Sequence, residues 1–92
     1  MNSIEKDQKY LIGTYARFPL EIVSGKGSVA YGADGKSYVD MGAGIAVNTF
    51  GYADDVFTSA VTAQLNKVQH TSNLYYTAPG ADLAEALCIK AG

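Results

Sequence analysis

One stretch limits the fold more than any other: "LEIVSGKGSVAYGADGKSYVDM", Leu20 to Met41. It holds three short runs rich in β-branched and aromatic residues: Leu20–Ser24, Ser28–Tyr31 and Ser37–Met41. They are separated by "GKG" and "GADGK". Asp34-Gly35 is a strong hairpin signal, because both residues tolerate the positive φ that tight hairpin turns require. Strands this short, joined by turns this short, pair antiparallel with their sequence neighbours. The two-residue repeat puts Val29 and Tyr31 on one face, and Val39 and Met41 likewise share a face. The stretch predicts a small antiparallel meander of three strands.

Helical signals flank it. Ser3 to Lys9 predicts a short helix, with Ser3 as N-cap and Glu5 near the positive end. Gly13 and Pro19 stop it from running on. "TYARFP", Thr14 to Pro19, should be extended, since the residue before proline avoids helical backbone angles. Downstream, the glycines of "GAGIAVNTFGYADD" break the strand pattern, and Asp54 or Asp55 can cap a helix. Apolar residues at 57, 61, 65 and 68 form a stripe along a helix from Val56 to Val68. A second helix begins at Pro79, with Leu83, Ala84, Leu87 and Ala91 as its apolar face and Gly92 at its end. The class is therefore α+β. Residues 1–50 form an N-terminal arm and meander, and residues 51–92 a helical segment. Two striped helices and one small sheet are few elements for closing a core, so the pattern reads as part of something larger.

Composition narrows the function. Ninety-two residues make one domain at most. A net charge of -2 gives no electrostatic reason to grip phosphate backbones, which argues against a nucleic-acid partner. No apolar run approaches the roughly 20 residues of a membrane span, and "MNSIEKDQKY" lacks the apolar core of a signal peptide. A cytoplasmic setting is the expectation. The single cysteine, Cys88, excludes an internal disulfide and supplies no zinc ligand set; a small buried hydrophobe on a helix is its expected role. Seven tyrosines are harder to place. An apolar ring with a polar tip collects where one end is covered and the other meets water, ligand or partner.

The candidate motifs fall away one by one. "SGKGS", Ser24 to Ser28, lacks the spacing and following helix of a phosphate loop and reads as a hairpin turn. "MGAGIAV" has Gly-x-Gly after a strand, but Val47 stands where a dinucleotide fingerprint needs its third glycine. Its glycines fit close backbone approach instead. His70 has no second metal ligand at suitable spacing, so no metal site is expected. As a general base it would need a nucleophile and an orienting partner, and adjacency to Thr71 and Ser72 is not triad geometry. A histidine near a helix C-terminus, favoured by the dipole there, is the simpler reading. From the residues alone, the chain is a small α+β piece with exposed tyrosines and no nucleophile, metal or cofactor.

Four segments, in order and at suitable spacing, carry a resemblance: "TYARFP", the pattern G-x-G-S-x-x-Y-x-x-x-G-K-x-Y-V-D, "AGIAVN" and "HTSNLYY". From about Tyr10 to Gly92 the chain resembles the N-terminal region of the acetylornithine aminotransferases, class III transaminases of fold type I that use pyridoxal phosphate. Related chains usually carry Gly-His and a further His-Pro where this one has "GYADD", Gly51 to Asp55. That departure weakens any role assigned to those histidines and leaves a helix start in place.

The resemblance implies a substrate pocket wall. Tyr15 matches a position where related enzymes set an aromatic ring beside the substrate. Ile45 matches the wall itself, and Asn48 the residue that steadies it. Thr71, Ser72, Asn73, Tyr75 and Tyr76 match a stretch at the homodimer interface near the partner's cofactor site, which would cover the surplus tyrosines. No catalytic and no cofactor-binding residue is implied within the chain. The phosphate cradle, the stacking ring, the aspartate facing the pyridine nitrogen and the Schiff-base lysine all belong to later sequence in the family. None of Lys6, Lys9, Lys26, Lys36, Lys67 and Lys90 matches that lysine. The chain alone should then be inactive, while a full enzyme would exchange an amino group between N-acetylornithine and 2-oxoglutarate in arginine biosynthesis. Relatives acting on ornithine, 4-aminobutyrate or succinylornithine share the same pattern. A complete, non-catalytic binding or oligomerisation module with a tyrosine-rich surface is the reading of a different class.

Overall fold

The structure, a computed structural model, describes residues 1–92. In chain order its elements are α1 (Ser3–Tyr10), β1 (Ile22–Lys26), β2 (Val29–Gly32), β3 (Ser37–Val39), one helical turn α2 (Ala43–Ala46), α3 (Asp55–Leu65) and α4 (Ala78–Ala91). The strands form one antiparallel sheet in the order β1-β2-β3, the expected meander. The chain divides into two compact units, Met1–Thr58 and Ser59–Gly92. No helix is long and apolar enough to cross a membrane.

In the first unit, α1 is capped by Asn2 rather than by Ser3. The Asn2 side chain accepts from the Glu5 amide at 2.9 Å, and Glu5 accepts in return from the Asn2 amide at 3.0 Å. Such a reciprocal box needs an acidic or amide side chain three residues after the cap. Glu5 stands there for Asn2, whereas Ser3 would meet Lys6. Ser3 Oγ is free to donate to Glu21 at 2.6 Å instead.

The sheet begins and ends differently from the sequence expectation. Gly25 and Lys26 belong to β1, with Lys26 opposite Val29, so only Gly27 and Ser28 make the turn. Gly27, at φ +57°, supplies the positive φ this tight connection asks for. Gly25 pairs with Ala30 within the strand, and the position requires glycine because the Tyr52 ring comes within 2.6 Å of where a Cβ would be. The second hairpin turns at Asp34-Gly35 as expected, although Gly35 alone has positive φ. Its amide donates to the Gly32 carbonyl and Gly32 N–H to the Lys36 carbonyl, the bonds of a three-residue turn with a bulge.

Burial is sparse. Ala30, at 3% exposure, is the buried hydrophobic residue of the chain, and Gly32 on the same face is buried too. Tyr38, paired with Ala30 across β2 and β3, is half-buried. Val39 and Met41 remain exposed.

The second unit holds the later part of α3, a loop and α4. The α3 helix starts on Asp54, whose carboxylate accepts from the Phe57 amide at 2.9 Å. It stops at Leu65, three residues short of the expected end. There the side chains of Asn66 and Gln64 donate to the Thr62 and Val68 carbonyls and satisfy the chain locally. The α4 helix opens with Pro79 in its first turn. Neither helix has a buried residue, so Phe57, Val61 and Leu65, like Leu83 and Leu87, keep their apolar stripes exposed. Cys88 shares that exposure, contrary to the expected burial, because α4 buries none of its residues.

Candidate functional site

The most unusual backbone of the molecule lies in "GAGIAVN". Ala43, Gly44, Ile45 and Ala46 all have positive φ, between 52° and 66°. The turn is left-handed. For an L-residue this conformation costs roughly 1–2 kcal/mol, and three of the four are not glycine. Such strain persists only where the surroundings over-determine it, and it gathers at functional positions.

The surroundings here can be named. Asp40 follows β3, and its Oδ1 accepts from the Gly42 and Ala43 amides, each at 2.9 Å. Those are first-turn donors with no helical partner of their own. The hydroxyl of Tyr52 donates to the other oxygen of Asp40. Inside the turn, Ala46 N–H donates to the Gly42 carbonyl, while Val47 and Asn48 N–H both donate to that of Ala43. The Tyr52 hydroxyl bond, followed by the two amides, holds the Asp40 carboxyl below the ordinary aspartate value of 3.8. The same bond raises the Tyr52 phenol above 10.0. A parallel pair closes the second hairpin: Tyr38 Oη donates to Asp34 Oδ2 at 2.5 Å, lowering Asp34 and raising Tyr38.

Tyr52 is itself fixed by the sheet. Its N–H donates to the Gly27 carbonyl at 2.8 Å, and its own carbonyl accepts from Gly27 N–H at 2.9 Å. Gly51 precedes it at φ +84°, and a Cβ there would lie 2.8 Å from the Gly27 oxygen. Lys26 adds a tether, donating to the Ala53 carbonyl at 2.8 Å and pairing with Asp55 at 3.2 Å.

The residues singled out from sequence are distributed over three depressions and open surface. Asn48 lines a depression of about 360 Å³ together with Asp40, Ala43, Tyr52 and the Gly27-Ser28 turn. Its side-chain nitrogen sits where a Cβ on Gly44 would come within 3.4 Å. Ile45 stands clear of that depression, at 93% exposure. Tyr15 lines a separate depression of about 410 Å³ with α1 and Arg17, whose guanidinium pairs with Asp7 at 3.2 Å. Asn48 follows the turn that carries Ile45 and is bonded to it through the Ala43 carbonyl, while Tyr15 lines a different depression.

In the second unit, Thr71, Ser72, Asn73 and Tyr75 line a third depression of about 250 Å³ with His70 and Pro79. Tyr76 is fully exposed. His70 lies five residues beyond the last residue of α3, not within its final turn. The nearby hydroxyls are occupied locally: Thr71 donates to the Ser72 carbonyl and Ser72 accepts from the Leu74 amide, each at 3.4 Å. No nucleophile–base pair forms here.

Asp40 and Tyr52 are what sequence reasoning passed over. Asp40 stood inside a quoted pattern without a role, although aspartate two residues before glycine signals a side chain folding onto its own backbone. Tyr52 lay in the "GYADD" departure and showed its purpose only in three dimensions. The depressions also test the cofactor. Pyridoxal phosphate requires an amine for the aldehyde and donors for the phosphate. No lysine lines the depressions around Tyr15, Asn48 or His70, so the residues of these three do not fit the group.

Residues 12–92 match the Aminotransferase class-III family. The acetylornithine aminotransferase of Methanosarcina mazei is 46% identical over 89 residues, covering 97% of this chain and 22% of the relative. That of Mycolicibacterium smegmatis is 48% identical over 82 residues, 89% of this chain and 21% of its own length. The crystal structure of N-acetylornithine aminotransferase from Stenotrophomonas maltophilia superposes with a TM-score of 0.80 at 32% identity, over 91% of this chain and 21% of that one. The chain thus spans about a fifth of the length of the relatives it matches. With most of its residues matched by the family and its sheet and helices superposing on a solved member, the chain belongs to the class-III aminotransferases.

Proposed function

We propose that these residues form the N-terminal part of an acetylornithine aminotransferase, contributing one wall of its substrate pocket. The observation that carries this reading is the 46% identity to an enzyme of that name over 97% of the chain. The whole protein would exchange an amino group between N-acetylornithine and 2-oxoglutarate, with pyridoxal phosphate as the electron sink. The cofactor's lysine and phosphate cradle come from residues outside this chain. Within it, Tyr15, Ile45 and Asn48 line the substrate side, Ile45 on the strained turn and Asn48 two residues beyond it. Thr71, Ser72, Asn73, Tyr75 and Tyr76 face a second subunit near its cofactor. The exposure of both tyrosines in the isolated chain supports that role. The setting is the cytoplasm and the substrate a small amino acid.

The test compares two polypeptides, each given pyridoxal phosphate, N-acetylornithine and 2-oxoglutarate. The 92-residue chain should form no glutamate, and an enzyme-length polypeptide beginning with this chain should turn over. Faster turnover with ornithine, 4-aminobutyrate or succinylornithine would reassign the donor. Transamination by the 92 residues unaided would overturn the reading.

A further inference from the structure

We propose that Asp40 and Tyr52 are a positioning pair for the pocket wall: they hold the left-handed Ala43–Ala46 turn and thereby set where Ile45 is presented. The word "wall" rests on the function proposed above; the clamp itself rests on geometry alone.

The restraint runs outward from the sheet. Tyr52 is fixed first, by two backbone bonds to Gly27 and by a ring lying where Gly25 leaves room for no Cβ. Its hydroxyl then orients one oxygen of Asp40. The other oxygen, now aimed, accepts both amides that open the turn. A right-handed turn would suit Ala43, Ile45 and Ala46 better on their own. Something outside the turn must select the left-handed form, and Asp40 is the side chain from outside it that bonds to the amides opening it. Ile45 cannot select it, because at 93% exposure the side chain packs against nothing in the chain. Its position is inherited from the backbone, and through Asp40 and Tyr52 from the sheet. A pocket wall built this way discriminates by the placement of one apolar side chain, and small displacements of such a group alter substrate binding.

Nuclear magnetic resonance on the 92-residue chain reads the clamp directly. Positive φ gives a strong cross-peak between the amide and α protons of the same residue. The wild type should show it at Ala43, Ile45 and Ala46. Asp40→Ala should abolish it while cross-strand contacts between Gly25 and Ala30 persist. Should Asp40→Ala also lose those contacts, Tyr52→Phe decides, because it keeps the ring and removes only the hydroxyl. It should speed exchange of the Ala43 amide about fivefold with the sheet intact. Unchanged cross-peaks in Asp40→Ala, or unchanged Ala43 exchange in Tyr52→Phe, would overturn the clamp.

A second arm uses an enzyme-length polypeptide beginning with this chain. Tyr52→Phe should raise KM for the amino donor about fivefold and leave kcat within twofold, the pattern of lost uniform binding. Equal loss of kcat and kcat/KM would instead place the pair elsewhere in the mechanism and contradict the wall. A polypeptide with no transaminase activity at all would refute the proposed function, while the resonance arm still decides the clamp.

Discussion

Up to Thr58 the chain is tied by contacts that reach far along the sequence, whereas from Ser59 onward its hydrogen bonds are local. Ser3 reaches Glu21, Gly27 pairs with Tyr52, Lys26 reaches Asp55, and Asp40 joins Tyr52. In the second unit Gln64, Asn66, Thr71 and Ser72 bond within four residues, and no residue of α3 or α4 is buried. The difference separates two ways of encoding shape. Long-range bonds between particular side chains leave a segment few alternatives. Helices with open apolar stripes carry secondary structure without saying what the stripe meets, because most helical stability in proteins comes from packing that face.

Substitutions of glycine should break the two units in opposite directions. Gly25→Val drives a side chain into the base of the Tyr52 ring, atoms that cannot swing aside. Overpacking of this kind costs about 1–3 kcal/mol. Thermal unfolding followed by circular dichroism should show a lower midpoint and loss of the sheet signal. Asp54→Ala removes the cap of α3 and should cost about 1 kcal/mol, seen as reduced helicity with the sheet resonances unmoved. Gly80→Ala meets open space in the first turns of α4 and should raise helicity, a gain of roughly 0.5–1 kcal/mol. A loss at Gly80, or indifference at Gly25, would erase the distinction between the units.

The smallest effect is that of pH, and it should be confined to the first unit. Asp34 and Asp40 lie below the ordinary 3.8 when folded, so their stabilisation is present above that value. It fades as pH falls beneath 3.8 and through the folded values. Tyr38 and Tyr52 lie above 10.0, so theirs is intact below 10.0 and is lost as pH rises through the folded values. Between these limits the two pairs should be indifferent to pH. Titration followed at the resonances of residues 40 to 52 should show both edges, and Tyr52→Phe should remove the alkaline one there.

The sheet was legible because turn chemistry is local: Asp34-Gly35 and the "GKG" segment announce hairpins whatever surrounds them. The strand ends were less so. That a strand position should be glycine at Gly25 depends on a ring 27 positions later, which no short window contains. The α4 start was readable from Pro79, since proline suits a first helical turn. The cap of α1 was readable too, from Glu5 three residues after Asn2, though Ser3 drew attention away. The left-handed turn was not readable: "AGIAV" has only one glycine inside it, and three residues that disfavour positive φ adopt it under the hold of Asp40. Tyr15, Ile45 and Asn48 were singled out by resemblance, and the pair beneath the turn only by geometry.

The first unit preforms its left-handed turn from its own contacts, while the helical unit lacks any comparable restraint. Amide hydrogen exchange on the 92-residue chain tests it most directly. The amides of Gly32, Asp40 and Tyr52, which donate to Lys36, Ser28 and Gly27, should exchange about a hundredfold more slowly than those of Leu83 to Ile89. Equal protection in both units, or firmer protection in α4, would contradict it.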